Sequence, residues 1–322
     1  MLLNSLAILV GLAVLVWGAD RFISGAAALA NNLGVSPMMI GLTIVGLGTS
    51  APEILVSSIA SYNGNPGLAI GNALGSNIAN IGLILGFTAM VTPLSVHSGV
   101  LKREYPLLLA ITLISLALMW DGVLDQLDGA ILLLLLVGIL SWMVHSARTA
   151  QSDPIAGEFD AEIPHDIPTG KAILWLLLGL VALLASSRTL VWGATNIATA
   201  LGISDVVIGL TIVAIGTSLP ELAASIASAM KGEHDIAIGN VIGSNLYNLL
   251  AVLSLPGLIA PGPFLPEVLT RDQPTMIALT VALFLMGYGF GRQGRINRFE
   301  GLLLLCAFIG YQSLLFFSLV RT

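Results

Sequence analysis

The chain is 322 residues long, 56% hydrophobic and only 9% charged, with 12 Lys and Arg against 18 Asp and Glu for a formal net charge of −6. Soluble domains carry roughly 25% charged residues, so the composition excludes an ordinary soluble domain and places the chain in a membrane. A single cysteine, Cys306, excludes an intramolecular disulfide framework and a cysteine-based metal site.

Apolar runs near the ~20 residues that cross a bilayer recur from end to end and predict ten spans. The first covers about residues 4–30; it lacks a positive n-region and meets its first charges only at Asp20 and Arg21, so it reads as a retained helix, not a cleaved signal. The second, about 37–61, carries Gly46-Leu-Gly-Thr-Ser-Ala-Pro52-Glu53 between two apolar stretches. Proline removes a backbone donor and clashes with the preceding turn, and it restricts the residue before it, so this helix is expected to kink or unwind. A carbonyl such as that of Leu47 is then free to face a cation, which is tolerated at membrane depth only where the backbone is buried or lines a cavity. Thr49 and Ser50, four and three residues before Glu53, would share its face on a helical segment.

The third span, about 67–91, holds Gly71-Asn72-Ala-Leu-Gly75-Ser76-Asn77-Ile-Ala-Asn80, with Asn72, Ser76 and Asn80 at i, i+4 and i+8. Gly71 and Gly75 form a GxxxG pair, a device for close helix packing; Asn72 either bridges helices or faces a site. Spans at about 103–120 and 127–147 complete the first half. Residues 149–170 follow, with Asp153, Glu158, Asp160, Glu162, Asp166 and three prolines and no basic residue. They read as a solvated connector and lack the Asp-x-Asp-x-Asp-Gly spacing of a calcium-binding loop.

The second half repeats the first. Spans are expected at about 171–198, 205–230, 235–259, 274–291 and 300–320, and residues 209–254 align with 41–86 at a constant offset of 168, with 21 of 46 positions identical. GLTIVGLGTSAPE recurs as GLTIVAIGTSLPE, bringing Ile215, Thr217, Ser218 and Glu221 to the positions of Leu47, Thr49, Ser50 and Glu53; Asn240, Ser244 and Asn248 recur at the positions of Asn72, Ser76 and Asn80. Gly11-Leu12, Gly25-Ala26 and Leu33-Gly34 match Gly179-Leu180, Gly193-Ala194 and Leu201-Gly202. Five spans per half is odd, so the second half enters the membrane from the opposite side. The expected fold is therefore an all-α membrane protein of ten transmembrane helices in two inverted-topology five-helix repeats, 1–148 and 171–322, with broken helices at the centre, an architecture of secondary transporters. One set of loops collects Lys102, Arg103, Arg148, Lys171, Lys231, Arg292, Arg295 and Arg298; the other holds Arg271 and Arg321, with Arg188 inside the sixth span. The positive-inside rule makes the first set cytoplasmic, with linker 149–170 inside and both termini outside.

Carboxylate, amide, hydroxyl and carbonyl oxygens suit hard cations such as Ca²⁺ and Na⁺. An ionisable group at the centre of a transmembrane helix costs at least about 2.5–3.5 kcal/mol, so Glu53 and Glu221 are read as functional. Two close carboxylates also raise one another's pKa, which keeps a calcium/proton antiporter open. A cation channel uses broken, oxygen-lined helices too, although an inverted repeat around one acid pair fits a moving barrier better. An enzyme is not expected: HExxH and GxSxG are absent, and His97, His145, His165 and His234 lie at span ends or in loops.

GTSxPE followed by GNxxGSNxxN, twice, in two five-helix halves, resembles the cation/calcium antiporter superfamily and within it the prokaryotic sodium/calcium exchangers, over essentially the whole chain. The resemblance implies four inner helices around a diamond of cation sites, with the first and sixth spans as sliding gates. It implies that Glu53 and Glu221 hold Ca²⁺ and, in the other half-cycle, Na⁺, with Thr49, Ser50, Ser76, Thr217, Ser218 and Ser244 at coordinating positions. Asn80 and Asn248 fill the last position of the two GSNxxN motifs; prokaryotic exchangers can carry Asp at the position of Asn248 and potassium-dependent ones carry Asp at that motif position, so two Asn argue against potassium dependence. Na⁺ and Ca²⁺ are the expected substrates, with no cofactor, a functional monomer, and a prokaryotic plasma membrane as the setting.

Overall fold

The computed structural model describes residues 2–35, 40–96, 98–149, 167–201, 214–288 and 294–320. Most of linker 149–170 and the start of the seventh expected span lie outside them. The helices track the apolar runs: α1 is Leu2–Leu33, α2 Gly46–Thr49 after a π-helical turn at Gly41–Val45, and α3 Ala51–Tyr62. Then come α4 (Pro66–Ala79), a π turn at Asn80–Leu85, and α5 (Gly86–Val91), followed by β1 (Leu94–Val96), α6 (Ser98–Leu118), β2 (Val123–Leu124) and α7 (Gln126–Thr149). The second half brings α8 (Thr169–Ala200), α9 (Ala214–Thr217), α10 (Leu219–Met230) and α11 (His234–Tyr247), then a π turn at Asn248–Val252 and α12 (Ser254–Ile259). It closes with β3 (Gly262–Pro263), a π turn at Val268–Asp272, α13 (Gln273–Tyr288), β4 (Gly294–Ile296) and α14 (Arg298–Val320).

Among the described residues five continuous helical stretches are long and apolar enough to cross a membrane, and a sixth if Gly41–Thr49 and Ala51–Tyr62, bent by 49° at their break, form one span. At 1.5 Å per residue the 32 residues of α1, like those of α8, extend about 48 Å, well beyond a hydrocarbon core of about 30 Å.

The chain forms two compact units, and each draws on both halves of the sequence. Unit 1 is Met1–Pro52 with Ile139–Asn240; unit 2 is Glu53–Gly138 with Val241–Thr322. Unit 1 is organised on the pairing of α1 with α8. Gly11 faces Ser186 and Leu190, Gly18 faces Ala182, and Gly25 faces Ala172 and Leu176, a register that runs in opposite directions and makes the pair antiparallel. Small residues two turns apart let the backbones meet, so packing and not burial from water holds these helices together in lipid. Lys231, just past α10, reaches α1 with its Nζ 2.6 Å from Asp20 Oδ1 and 2.8 Å from Ser24 Oγ.

In unit 2, α4, the part of α11 after Asn240 and their π turns carry deeply buried side chains, among them Ile70, Leu74, Ile78, Ile81, Ile242 and Leu249. The α14 helix closes on α5 where Gly86 and Gly301 meet. Two antiparallel strand pairs tie helix ends together: Leu94 faces Ile296 and Val96 faces Gly294, while Val123 faces Pro263 and Leu124 faces Gly262.

A Cβ on Gly25 would lie 2.5 Å from Leu176 N, and one on Gly179 would strike the Phe22 backbone. Backbone cannot move aside as a side chain can, so Gly179→Val is expected to cost at least the ~1–3 kcal/mol of core overpacking. Gly138→Ala, inside α7 with open space around its Cβ, is expected to be neutral to slightly stabilising, because Ala is the better helix former. Melting temperatures of the two purified variants in detergent check the pair.

Candidate functional site

The expected break is present in both halves and has the same form. Ser50 leaves the helix at φ −79°, ψ 3°, and Ser218 at φ −88°, ψ 5°. Each stands two residues before the motif proline. The residue directly before that proline already begins the next helix, so the irregular backbone falls one residue earlier than the pre-proline rule suggests. Because the break lies between Thr49 and Glu53, these two do not share one face of a continuous helix. Glu53 and Glu221 instead sit in the first turn of α3 and α10, where the unsatisfied N–H groups favour negative charge. Both glutamates are buried.

In unit 1, Asn240 organises the site. Its Nδ2 donates to Glu221 O (3.2 Å) and Ser225 Oγ (2.9 Å), which turns the amide oxygen towards Thr49. Thr49 Oγ1 lies 3.1 Å from Asn240 Oδ1, 3.1 Å from Val45 O and 3.4 Å from Gly46 O. A hydroxyl has one proton, so it satisfies one of these three acceptors at a time. Gly46 O also accepts from Ser50 N at 3.0 Å, so the result is a buried, hydrogen-bonded cluster of hydroxyl, amide and carbonyl oxygens, donor atoms of the kind that suit a hard cation. Ser50 and Ser218 are buried in the same unit, and no described residue bonds Ser50 Oγ. Thr217 is partly buried, and the Leu47 side chain is 46% exposed, so Leu47 has only its carbonyl to offer. The backbone of Ile215 lies in α9.

Unit 2 carries the matching amide. Asn72 Nδ2 donates to Glu53 O (3.1 Å) and Ser57 Oγ (3.0 Å), 168 residues before the equivalent bonds of Asn240. Asn72 and Asn240 therefore both bridge neighbouring helices. Ser76, Asn80, Ser244 and Asn248 are all buried. Asn80 Nδ2 donates to Asn245 Oδ1 at 3.0 Å, while Asn80 Oδ1 and Asn248 Oδ1 have no hydrogen-bond donor among the described residues. A buried acceptor left so costs ~1–3 kcal/mol, which a coordinated cation would offset. Asn80 and Asn248 each begin a π turn, and such turns recur at functional positions of helices. No cluster of three or more His, Cys, Asp or Glu able to hold a metal occurs among the described residues.

Several of these groups were not singled out in the sequence. Ser57 and Ser225 are identical in the two copies, as are Asn77 and Asn245, and that identity was the available signal. The carbonyls of Val45 and Gly46 carry no such mark, because any residue supplies one.

The family model of the sodium/calcium exchanger protein matches residues 3–144 and 171–317. The chain belongs to the sodium/calcium exchanger family. It is 51% identical to CaxA of Alkalimonas amylolytica over 99% of this chain and 100% of that one. It is 32% identical to the sodium/calcium exchanger MaX1 of Methanosarcina acetivorans, covering 98% of this chain and 99% of the relative. Among solved structures, the sodium-calcium exchanger NCX_Mj, soaked with 2.5 mM Na⁺ and 0.1 mM Ca²⁺, matches with a TM-score of 0.83 at 34% identity, covering 96% of this chain and 97% of that one. This exchanger is thus a helical membrane ion antiporter, and its named relatives are transporters, not enzymes.

The two asparagine networks make equal demands on their serines. Ser57→Ala and Ser225→Ala are each expected to lower stability by about 1 kcal/mol, the worth of one hydrogen bond, read as a fall in melting temperature. A loss confined to one variant would show that the two networks are not equivalent.

Proposed function

We propose that this exchanger moves Na⁺ and Ca²⁺ in opposite directions across a prokaryotic plasma membrane by alternating access, with both ions competing for ligands built on Glu53 and Glu221. The observation that carries the reading is the duplicated unit of helix break, buried first-turn glutamate and bridging asparagine. Thr49, Ser50, Ser76, Asn80, Thr217, Ser218, Ser244 and Asn248, with carbonyls in the Leu47 and Ile215 segments, supply the neutral oxygens. Asn72 and Asn240 orient the set and add their amide oxygens. The chain works as a monomer of ten spans, in inverted halves 1–148 and 171–322, with linker 149–170 cytoplasmic and both termini outside.

Charge arithmetic gives the mechanism. Two ionised glutamates neutralise one Ca²⁺, so the calcium-loaded site crosses the low-dielectric barrier without net charge, whereas the empty site carries two uncompensated charges and moves poorly. Several Na⁺ in place of one Ca²⁺ need oxygens beyond the two acids, which the Ser, Thr, Asn and carbonyl set provides. Sodium entering down its gradient then drives calcium out.

Glu53→Gln and Glu221→Gln each remove one charge and are expected to abolish Ca²⁺ uptake driven by an outward Na⁺ gradient in proteoliposomes; retained flux in both would overturn the site. A calcium/proton antiporter is the second reading, favoured by the same pair of buried carboxylates, which would then cycle through protonation. Uptake of radiolabelled Ca²⁺ into Na⁺-loaded vesicles at clamped pH and potential separates them. Flux is expected with the Na⁺ gradient alone; flux only under an imposed pH gradient would make the glutamates proton carriers. Single-channel currents would instead mark a cation channel.

A further inference from the structure

Pro220 has no N–H to give to the carbonyl four residues back, which is that of Gly216. That carbonyl is not left bare. Ser187 of α8 donates its hydroxyl to Gly216 O at 2.6 Å, a short bond between buried groups 29 residues apart in sequence. The choice is unusual for a helical serine, whose hydroxyl ordinarily returns to a carbonyl three or four residues earlier in its own helix, as Ser186 does with Leu183 O at 3.0 Å. Ser187 points out of its helix instead. One turn further on, Val191 covers the same spot so closely that a Cβ on Gly216 would collide with its side chain. Ser187, Val191 and Gly216 therefore form one fitted contact, in which the glycine admits α8 and the serine fastens it. In the first half Gly48 and Pro52 recur, but 168 residues before Ser187 stands Ala19, which has no hydroxyl to donate.

We propose that Ser187 is a positioning residue for the cation ligands, which sets the backbone at the break of the second half so that the oxygens of Thr217 and Ser218, the next two residues, are held in place for the ion. Ser187 does not touch the ion itself. Its hydroxyl replaces the donor that Pro220 lacks and fixes the Gly216 peptide, from which the Thr217 and Ser218 positions follow. Since Ala19 cannot make this clasp in the first half, the two halves of the ligand set differ in rigidity despite their matching motifs. The inference rests on the ligand reading proposed above.

The test uses the full chain, with Ca²⁺ titrated calorimetrically in detergent and the KM for radiolabelled Ca²⁺ measured in proteoliposomes. Ser187→Ala is expected to weaken Ca²⁺ binding and raise KM by roughly 2- to 12-fold, the factor equivalent to one lost hydrogen bond, while Ser187→Thr, which keeps the hydroxyl, stays near the parent. Should the alanine variant not be recovered folded, Ser187→Cys, nearly isosteric but a weaker donor, must shift affinity in the same direction. A Ser187→Ala protein with parental affinity and KM overturns the proposal, and so does one that merely melts at a lower temperature with affinity unchanged. Glu221→Gln measured alongside separates the two levels: if it keeps full Ca²⁺ affinity, the ligand reading itself has failed, whatever Ser187 does.

Discussion

A proline one residue before a buried glutamate is the constraint from which the rest of this molecule follows. Pro52 and Pro220 each withhold one N–H and end the preceding helical segment. The glutamate is thereby placed in the first turn of a new helix, among N–H groups that have no carbonyl to bond. That is a favourable setting for a negative charge in a medium that otherwise penalises it. The same step leaves one carbonyl of the preceding segment, that of Gly48 or Gly216, without its usual helical donor, and in the second half Ser187 supplies one to Gly216 O.

Irregular backbone inside a membrane must be held by something other than water, and the neighbouring helices do this with small polar side chains. Asn72 and Asn240 donate both amide hydrogens, one to the backbone of the glutamate and one to a serine a turn later. An aspartate could not replace them, since an ionised carboxylate has no hydrogen to donate. The amide also brings its own oxygen to the site, as Asn240 does towards Thr49. The residue that braces the break thus also ties it, through its amide oxygen, to a hydroxyl of the other copy.

Much of this was legible in the sequence because it is written in residue types that lipid-facing helices avoid. The repeat at an offset of 168 flagged the glutamates and asparagines, and apolar runs fixed most helix ends to within a few residues; the predicted span 67–91, for example, corresponds to helical backbone over Pro66–Val91. The position of the break was less legible, because Ser50 and Ser218 leave the helix two residues before the proline. The π turns at Asn80 and Asn248 were invisible, since an added residue in a helical turn has no compositional signature and side-chain periodicity survives it over such short stretches. The serine at position 187 was unreadable for a different reason. It is a contact between segments far apart in sequence, and serines on a membrane helix ordinarily bond their own backbone.

The grouping of chain into units also departs from the order of the repeats. Residues up to Pro52 associate with Ile139–Asn240, and Glu53 onwards with Val241–Thr322, so each unit is built from both copies. Two of the three unit boundaries fall inside the doubled block: one follows the proline of the first copy, the other the asparagine of the second; the third, between Gly138 and Ile139, lies outside it. A glutamate and its asparagine accordingly remain together in each unit, Glu53 with Asn72 and Glu221 with Asn240, while Thr49 is grouped with the amide of the opposite copy. The hydroxyl of Thr49, from one copy, meets the amide of Asn240, from the other, so this buried hydrogen bond forms only because both copies are present in the chain.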